Sequence, residues 1–257
     1  MAEEVPTSVD WQGWLRRWDS QQTGYTAERE ARFEAMFDVL EVLLPPRFVA
    51  LDLACGPGSI SQRLLARFPG ARCVALDMDP VLLAIGEGAM GTVDGRLRWV
   101  DADLASPDWV EAMGEPVLDA VVSTTALHWL EPDVLSHVYG ALGRLVRKGG
   151  VVLNGDNMAF APALPSFRQL ADASREEWSD EAFAARGIET WEEFWADLGR
   201  EESLEPLLAE RERRFSAKTR PQSPDFDYHV AALRDAGFGE VDTVWQSLTN
   251  RVLLAVR

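Results

Sequence analysis

The sequence predicts an α/β protein built on one doubly wound, mostly parallel sheet. Strand-like apolar segments alternate with helix-like segments along most of the 257 residues, which is the pattern of successive βαβ units. Residues 48–54 (FVALDLA) are apolar at almost every position, as in a strand buried on both faces, and a glycine-rich turn follows them. These observations favour a sheet that binds a ligand at the carboxyl ends of its strands.

The N-terminal region predicts two helices that precede the first strand. In residues 9–18 the aromatic side chains of Trp11, Trp14 and Trp18 recur at three- and four-residue steps, so they share one helix face. That face either packs into the core or closes over a ligand as part of a substrate wall. A second amphipathic helix is expected over residues 27–44, before Pro45-Pro46.

The turn after the first strand, Cys55-Gly56-Pro57-Gly58-Ser59, has the composition of a ligand-binding loop. Its two glycines permit a tight turn with backbone N–H groups near a ligand, and Ser59 is a candidate N-cap for a helix over residues 58–68. The second strand, residues 73–77, ends in Asp77. This acid follows the first loop glycine by about twenty residues, where nucleotide-binding βαβ units place a ribose ligand.

The remaining strands and helices are expected to follow in alternation. A helix is predicted at 81–87 behind Asp79-Pro80, another at 133–145 and a third at 227–236, with Lys148-Gly149-Gly150 as a turn. The further strands are residues 97–100, 118–123, 151–153, 241–245 and 251–256.

Two features of the loop discriminate between nucleotide ligands. The dinucleotide fingerprint requires glycine or alanine three residues after its second glycine, and Ser61 stands there. Asp52, immediately before the loop, would repel a pyrophosphate but suits a ligand with an ammonium and a sulfonium group. The loop therefore favours S-adenosylmethionine over NAD.

Four segments together resemble the class I S-adenosylmethionine-dependent methyltransferases. LDLACGPGS (51–59) is similar to the first motif of that family, with Ala54 at the position of the commoner first glycine. ALDMDP (75–80) is similar to the second motif and WVDADL (99–104) to the third. LDAVVSTTALHWL (118–130) resembles the fourth, and its ALHW ending is similar to small-molecule enzymes of the trans-aconitate methyltransferase type.

The resemblance implies a set of cofactor-binding residues. Asp103 would face the adenine amino group, with Asp101 as the alternative acid, and Leu104 would supply a backbone contact. The implied cofactor-binding residues are Asp52, Ala54, Gly56, Gly58, Asp77, Met78, Asp103, Leu104 and Thr124. The cofactor would be S-adenosyl-L-methionine, and the product S-adenosyl-L-homocysteine.

The resemblance also implies a Rossmann-like seven-stranded class I methyltransferase sheet whose last strand inserts antiparallel. We expect N-terminal helices at 1–46, the cofactor-binding core at 47–157, a helical cap inserted after the fifth strand at 158–224, and the rest of the core at 225–257. The cap is rich in acids and aromatic residues. It is either a solvated helical hairpin packed on the sheet or a lid whose aromatic face holds the acceptor.

Charge and composition limit the partners. A net charge of −17 without a dense basic cluster disfavours nucleic acid. No metal-binding motif and no stretch of membrane-spanning length occurs, and residues 1–10 lack the pattern of a secretion signal, so we expect a cytoplasmic protein without a metal. The sequence does not indicate the oligomeric state.

The sequence thus predicts methyl transfer to a small, partly apolar metabolite, at oxygen or nitrogen. His128, just beyond the fourth strand, is the candidate catalytic base for a phenol or alcohol, or else a pocket residue; His137 and His229 are weaker candidates. The tryptophan helix and the cap are expected to form opposite walls around the acceptor, with Arg168 or Arg175 turned inward if it is charged. An NAD-dependent oxidoreductase and a non-catalytic adenosylmethionine-binding module are the alternatives.

Overall fold

A computed structural model of the protein describes residues 9–216, 218 and 224–257. Residues 1–8 of the predicted N-terminal region and residues 217 and 219–223 of the predicted cap lie outside the described residues. The strands are β1 (Val49–Leu53), β2 (Arg72–Asp77), β3 (Leu97–Asp101), β4 (Leu118–Thr124), β5 (Val146–Asn157), β6 (Glu240–Ser247) and β7 (Asn250–Val256).

These strands form one seven-stranded sheet in the order β3-β2-β1-β4-β5-β7-β6. β7 runs antiparallel to both of its neighbours, β5 and β6, whereas the other pairings are parallel. The predicted seven-stranded sheet with an antiparallel last strand is confirmed. The strand order reverses between β1 and β4, and such a reversal is where open α/β sheets bind ligands.

Helices cover both faces of the sheet. They are α1 (Trp11–Tyr25), α2 (Arg29–Leu43), α3 (Ser59–Arg67), α4 (Pro80–Met90), α5 (Trp109–Met113), α6 (Pro132–Leu145), α7 (Pro165–Asp180), α8 (Trp191–Leu198), α9 (Glu205–Phe215) and α10 (Phe226–Asp235). Helices α7 to α9 lie between β5 and β6 in the chain. The division into four sequence regions stays a prediction.

Side chains alternate between two apolar cores because a strand has a period of two. On one face, Leu51 and Leu53 of β1 join a core that includes residues of α6 and α10. On the other face, Ala50 joins a core with residues of α2 and α3. β1 is therefore the buried centre of the fold, as its apolar sequence predicts.

The tryptophan face of α1 packs against α8. The ring centroids of Trp14 and Phe194 are 5.5 Å apart, those of Trp18 and Phe194 are 5.6 Å apart, and all three side chains are buried. Arg17 of α1 also pairs with Asp197 of α8 at 2.8 Å. The packing interpretation is supported, because this face of α1 is buried against a cap helix. The arrangement of α1 and the cap as opposite walls around the acceptor stays a prediction.

Two local expectations were wrong, and one helix was not predicted. Gly58 (φ +79°), not Ser59, precedes α3, because the turn needs a left-handed residue there, and no side chain caps it. Residues 148–150 belong to β5, whose pairing with β4 shifts register between Leu118 and Ala120. Helix α5 was not predicted, although Trp109 and Met113 stand four residues apart and are both buried.

The cap arginines do not provide the inward-facing charge that a highly charged acceptor would require. Arg168 and Arg175 are exposed on α7, and Arg175 pairs with Asp172 of the same helix at 2.7 Å. Neither arginine turns inward. Across residues 9–216, 218 and 224–257, no helix combines the length and apolarity needed to cross a bilayer.

Candidate functional site

A set of partly exposed residues lies at the carboxyl ends of the central strands, whose interiors are buried. They are Ala54, Gly56, Asp77, Met78, Asp103, Thr124 and His128. Three further predicted site residues are buried: Asp52, Gly58 and Leu104. Carboxyl ends of parallel strands meet at one edge of a sheet, so the structure brings the predicted site residues to that edge.

The loop after β1 has three residues in the left-handed backbone region: Ala54 (φ +56°), Gly56 (φ +56°) and Gly58 (φ +79°). A Cβ atom at Gly58 would stand 2.6 Å from Trp99 and 2.8 Å from Met90, so only glycine fits. Ala54 has a Cβ atom in a conformation that costs an L-residue roughly 1–2 kcal/mol. Strain of this kind is concentrated at ligand-binding sites.

Asp77 fixes this loop through both of its carboxylate oxygens. Oδ2 accepts a hydrogen bond from the backbone N–H of Gly56 at 2.7 Å, and Oδ1 accepts one from that of Asp79 at 2.8 Å. Burial raises the pKa of Asp77 to about 6, against the opposing effect of these hydrogen bonds. The acid is thus joined to the glycine loop and remains partly exposed.

Asp52 lies beneath the loop and is fully buried. Its Oδ2 accepts hydrogen bonds from the hydroxyl of Ser61 at 2.6 Å and from the backbone N–H of Ser61 at 3.2 Å, whereas Oδ1 has no partner within the described chain. Burial, with a further contribution from the charge of Asp77, raises the pKa of Asp52 to about 7. A buried acceptor without a donor suits a cationic ligand group.

Helix α9 and Lys218, which follows it, bring cations to the ends of β2 and β3. Arg214 forms a bidentate pair with Asp101 at 2.5 and 2.9 Å and donates to the carbonyl of Met78 at 2.8 Å. Lys218 lies 3.0 Å from Asp103 Oδ2 and 3.0 Å from the sulfur of Met78. Both acids proposed to face an adenine are therefore paired with cations. This pairing could not be predicted from the sequence, because more than a hundred residues separate the partners.

Asp79 has a structural role in the same region. Its Oδ1 accepts hydrogen bonds from the first turn of α4, and its Oδ2 pairs with Arg211 at 2.6 Å. The Arg211 guanidinium in turn lies 3.6 Å from the ring centroid of Trp195. These contacts attach α9 to the sheet edge.

His128 lies beyond β4 and contacts the end of β5. Its Nδ1 is 2.8 Å from Asp156 Oδ1, and its backbone N–H donates to Asp156 Oδ2 at 3.1 Å. The side chain of Asp156 is 2% exposed and that of His128 is 18% exposed. Burial by itself would raise the pKa of Asp156. The interaction with His128, and more weakly the charge of Arg32, outweigh burial and hold the pKa of Asp156 below its usual value.

Arg32 of α2 is fully buried, and its guanidinium lies at the ends of β4 and β5, near Asp156. It donates to Thr124 Oγ1 at 2.9 Å, to Thr125 Oγ1, and to Asn250 Oδ1 at 3.0 Å. Gly155 makes room for it, because a Cβ atom there would be 3.0 Å from the arginine side chain. Sequence patterns gave no sign that an arginine on the apolar face of α2 belongs to the site.

The other histidines lie elsewhere. His229 is buried, its Nδ1 is 2.7 Å from the hydroxyl of Tyr139, and burial lowers its pKa to about 4. His137 is bonded through Nδ1 to the carbonyl of Asp133 in its own helix. In the described part of the chain, no group of three or more histidine, cysteine or acidic residues could hold a metal ion.

Comparison with known proteins identifies the domain that carries this edge. A family model described as "Methyltransferase domain" matches residues 50–150. A trans-aconitate 2-methyltransferase from Streptomyces avermitilis is 30% identical over 174 residues, which are 63% of this chain and 59% of the relative. One from Azoarcus sp. is 34% identical over 136 residues, 52% of this chain and 49% of the relative. The chain thus spans about half the length of these curated relatives.

The fold is also found among solved structures. An O-methyltransferase family protein from Burkholderia thailandensis has a TM-score of 0.55 at 17% identity, covering 96% of this chain and 68% of that one. At this identity the likeness shows the fold alone.

Proposed function

The chain belongs, through its methyltransferase domain at residues 50–150, to the class I S-adenosylmethionine-dependent methyltransferases, and we propose that it transfers the methyl group of S-adenosylmethionine to a small molecule. The proposal rests on one observation. The backbone N–H of Gly56, in the glycine loop, donates a 2.7 Å hydrogen bond to the carboxylate of Asp77 at the end of β2. The glycine loop follows β1, one of the two strands between which the strand order reverses.

The adenosine end of the cofactor is assigned to the ends of β2 and β3. Asp77 would accept hydrogen bonds from the ribose hydroxyls, since its carboxylate is partly exposed and fixed by two backbone donors. Met78 would pack against the adenine, Leu104 would supply a backbone contact, and Asp103 would accept from the adenine amino group. For the last assignment, the ion pair between Asp103 and Lys218 must break, so that Asp103 can accept a hydrogen bond from the adenine amino group.

The methionine end is assigned to the loop after β1. Gly56 and Gly58 would let the ligand approach the backbone, beside Ala54, and Thr124 lies at the adjoining end of β4. The residues fit a cationic ligand, because Asp52 Oδ1 is buried without a donor and, among residues 9–216, 218 and 224–257, no arginine or lysine is bonded to this acid. In its ionised form Asp52 would repel a pyrophosphate here, and this disfavours the NAD alternative.

The bound cofactor supplies a methyl group that its sulfonium already activates, so the protein has mainly to position the acceptor. The N-terminal helix and α8 form one packed unit, and the exposed indole of Trp129 lies beside His128, with ring centroids 5.2 Å apart. These apolar groups support a small, partly apolar acceptor, methylated at oxygen or nitrogen. The relatives' names concern trans-aconitate, and a small-molecule acceptor agrees with them.

Isothermal titration calorimetry tests the cofactor assignment. We expect the protein to bind S-adenosylmethionine and S-adenosylhomocysteine and to show no heat of binding with NAD. Binding of NAD together with indifference to S-adenosylmethionine would contradict the proposal and support the oxidoreductase alternative.

Replacing Lys218 by methionine is expected to tighten S-adenosylmethionine binding by roughly twofold to fivefold. The ion pair with Asp103 would no longer have to be broken, and an exposed pair of this kind contributes about 0–1 kcal/mol. The same calorimetric titration measures the change. Lys148→Met, at an exposed position on β5, is the matched control and should leave the affinity unchanged. Weaker binding by Lys218→Met would show that the lysine assists the cofactor.

A further inference from the structure

We propose that the ion pair between Arg214 and Asp101 is a gate for the cofactor: α9 stays attached at Arg211, while the pair at Arg214 opens and closes to let the adenosine end in and out. The gate rests on the proposed binding of S-adenosylmethionine and goes beyond it, because it concerns the rates at which the cofactor enters and leaves. It depends on the position of α9 and on how differently two parts of this helix are held.

The last turn of α9 lies across the ends of β2 and β3, to which the adenosine end of the cofactor is assigned. Arg214 donates to the carbonyl of Met78, which directly follows Asp77. It also pairs with both carboxylate oxygens of Asp101 at the end of β3. One side chain therefore bridges the two strand ends. An adenosine held by Asp77 and Asp103 would lie beside this bridge, which stands on its route to solvent.

Helix α9 is held mainly by polar contacts, because none of its side chains is buried. Leu207 and Leu208, in its first half, are partly buried against an apolar core that contains residues of α1, α4 and α8. The second half begins at Glu210 and carries four charged side chains among its last six residues. Segments with few buried apolar contacts open locally at a low free energy. The end of α9 therefore has the composition of a segment that can move.

Arg211 fixes the middle of α9 to the sheet edge. Its guanidinium pairs with Asp79 at 2.6 Å, and the Asp79 side chain is only 4% exposed. The same guanidinium lies 3.6 Å from the ring centroid of Trp195 and 4.9 Å from that of Phe215. Breaking a pair with a buried carboxylate leaves an uncompensated charge inside the protein, which is strongly unfavourable. The helix therefore stays attached at this point.

The pair at Arg214 opens more easily, because each partner has another way to balance its charge. Asp101 is 48% exposed, so water solvates its carboxylate when the pair breaks. Arg214 also pairs with Glu210 of its own helix at 2.7 Å. Hydrogen bonds from Arg213 and Arg214 lower the pKa of Glu210 to about 2, so this second partner is ionised near pH 7. Half-exposed pairs of this kind contribute little to stability.

The pair at Arg214 is also compatible with a bound cofactor. The adenine amino group is assigned to Asp103, whose partner is Lys218, so Asp101 remains with Arg214 before and after binding. A pair that is closed in both states slows entry and exit by the same factor and leaves the affinity unchanged. The gate thus differs from the pair at Lys218, which competes with the adenine for Asp103.

Surface plasmon resonance on the immobilised protein measures both rates, with S-adenosylhomocysteine as the probe. This probe has no net charge, so attraction by the acidic protein does not obscure the comparison. In Arg214→Met we expect the association and dissociation rate constants each to rise by about twofold to fivefold, while Kd stays close to the wild-type value. Arg213→Met is the matched control, because Arg213 is largely exposed and pairs with Glu210 of its own helix. Its rates should equal those of the wild type.

A double-mutant cycle tests whether the two residues act as one pair. Asp101→Ala should raise both rates as Arg214→Met does, and the double variant should be no faster than either single variant. Unchanged rates in Arg214→Met, or additive effects in the double variant, would overturn the gate while the proposed function stands. A loss of affinity in Asp101→Ala alone would place Asp101 on the adenine and would also overturn it. If the wild-type protein binds neither S-adenosylmethionine nor S-adenosylhomocysteine, the proposed function itself fails.

Discussion

Replacing Asp77 by alanine is expected to weaken S-adenosylmethionine binding by roughly 10- to 150-fold. Hydrogen bonds between a charged acid and the ribose hydroxyls contribute about 1.5–3 kcal/mol, and the substitution removes all of them. It also leaves the N–H groups of Gly56 and Asp79 without their carboxylate acceptor, so the loop loses its attachment to β2. Calorimetry of the purified variant measures the loss.

Asp242→Ala is the matched control, because Asp242 is an exposed acid on β6 at the far edge of the sheet. It should bind the cofactor as the wild type does.

The wild-type affinity should also fall as the pH falls below about 6. Burial raises the pKa of Asp77 to about 6, so below that pH a proton must leave before the ionised acid can accept from the ribose. An Asp77→Ala protein with wild-type affinity would contradict the ribose assignment.

Replacing Gly86 by alanine is expected to destabilise the protein by about 1–3 kcal/mol and to weaken cofactor binding as well. A Cβ atom on this residue of α4 would lie 2.3 Å from the ring of Trp99 and 2.7 Å from the carbonyl oxygen of Pro57. Overpacking of a filled core has a cost of this size. Pro57 stands between the two loop glycines, so relief of the clash shifts the cofactor loop.

Gly140→Ala provides the control for the helix propensity of alanine. Gly140 lies in α6, and a Cβ atom there would meet only the Arg144 side chain, at 3.9 Å. This variant should be more stable than the wild type by about 0.5–1 kcal/mol. Urea denaturation measures both free energies of unfolding. Equal stabilities for the two variants would contradict the close packing of α4 on Trp99 and Pro57.

The sheet could be predicted because its signals are local. The apolar run before Asp52, the glycine turn and the acid at the end of β2 each lie within a short stretch of chain, and the structure brings them together through Gly56 and Asp77. Apolar periodicity likewise gave core packing as one of two interpretations of the α1 face that bears Trp14, and that face is buried.

The contacts that complete the site could not be predicted, because they join distant segments. Arg214 meets Asp101 across 113 residues, and Arg32 meets Asn250 across 218 residues. Asp156 comes three residues after the predicted strand 151–153, but the sequence gives no sign that its side chain pairs with that of His128. Pairing of this kind depends on the register and twist of the strands, which single-chain patterns do not specify.

The most direct measurement of the central claim is transfer of a labelled methyl group from S-adenosylmethionine to a panel of small molecules by the wild-type protein. The account predicts labelled product from at least one small acceptor, with S-adenosylhomocysteine formed in equal amount. Tight binding of S-adenosylmethionine without transfer to any member of the panel would contradict it and favour a non-catalytic binding module.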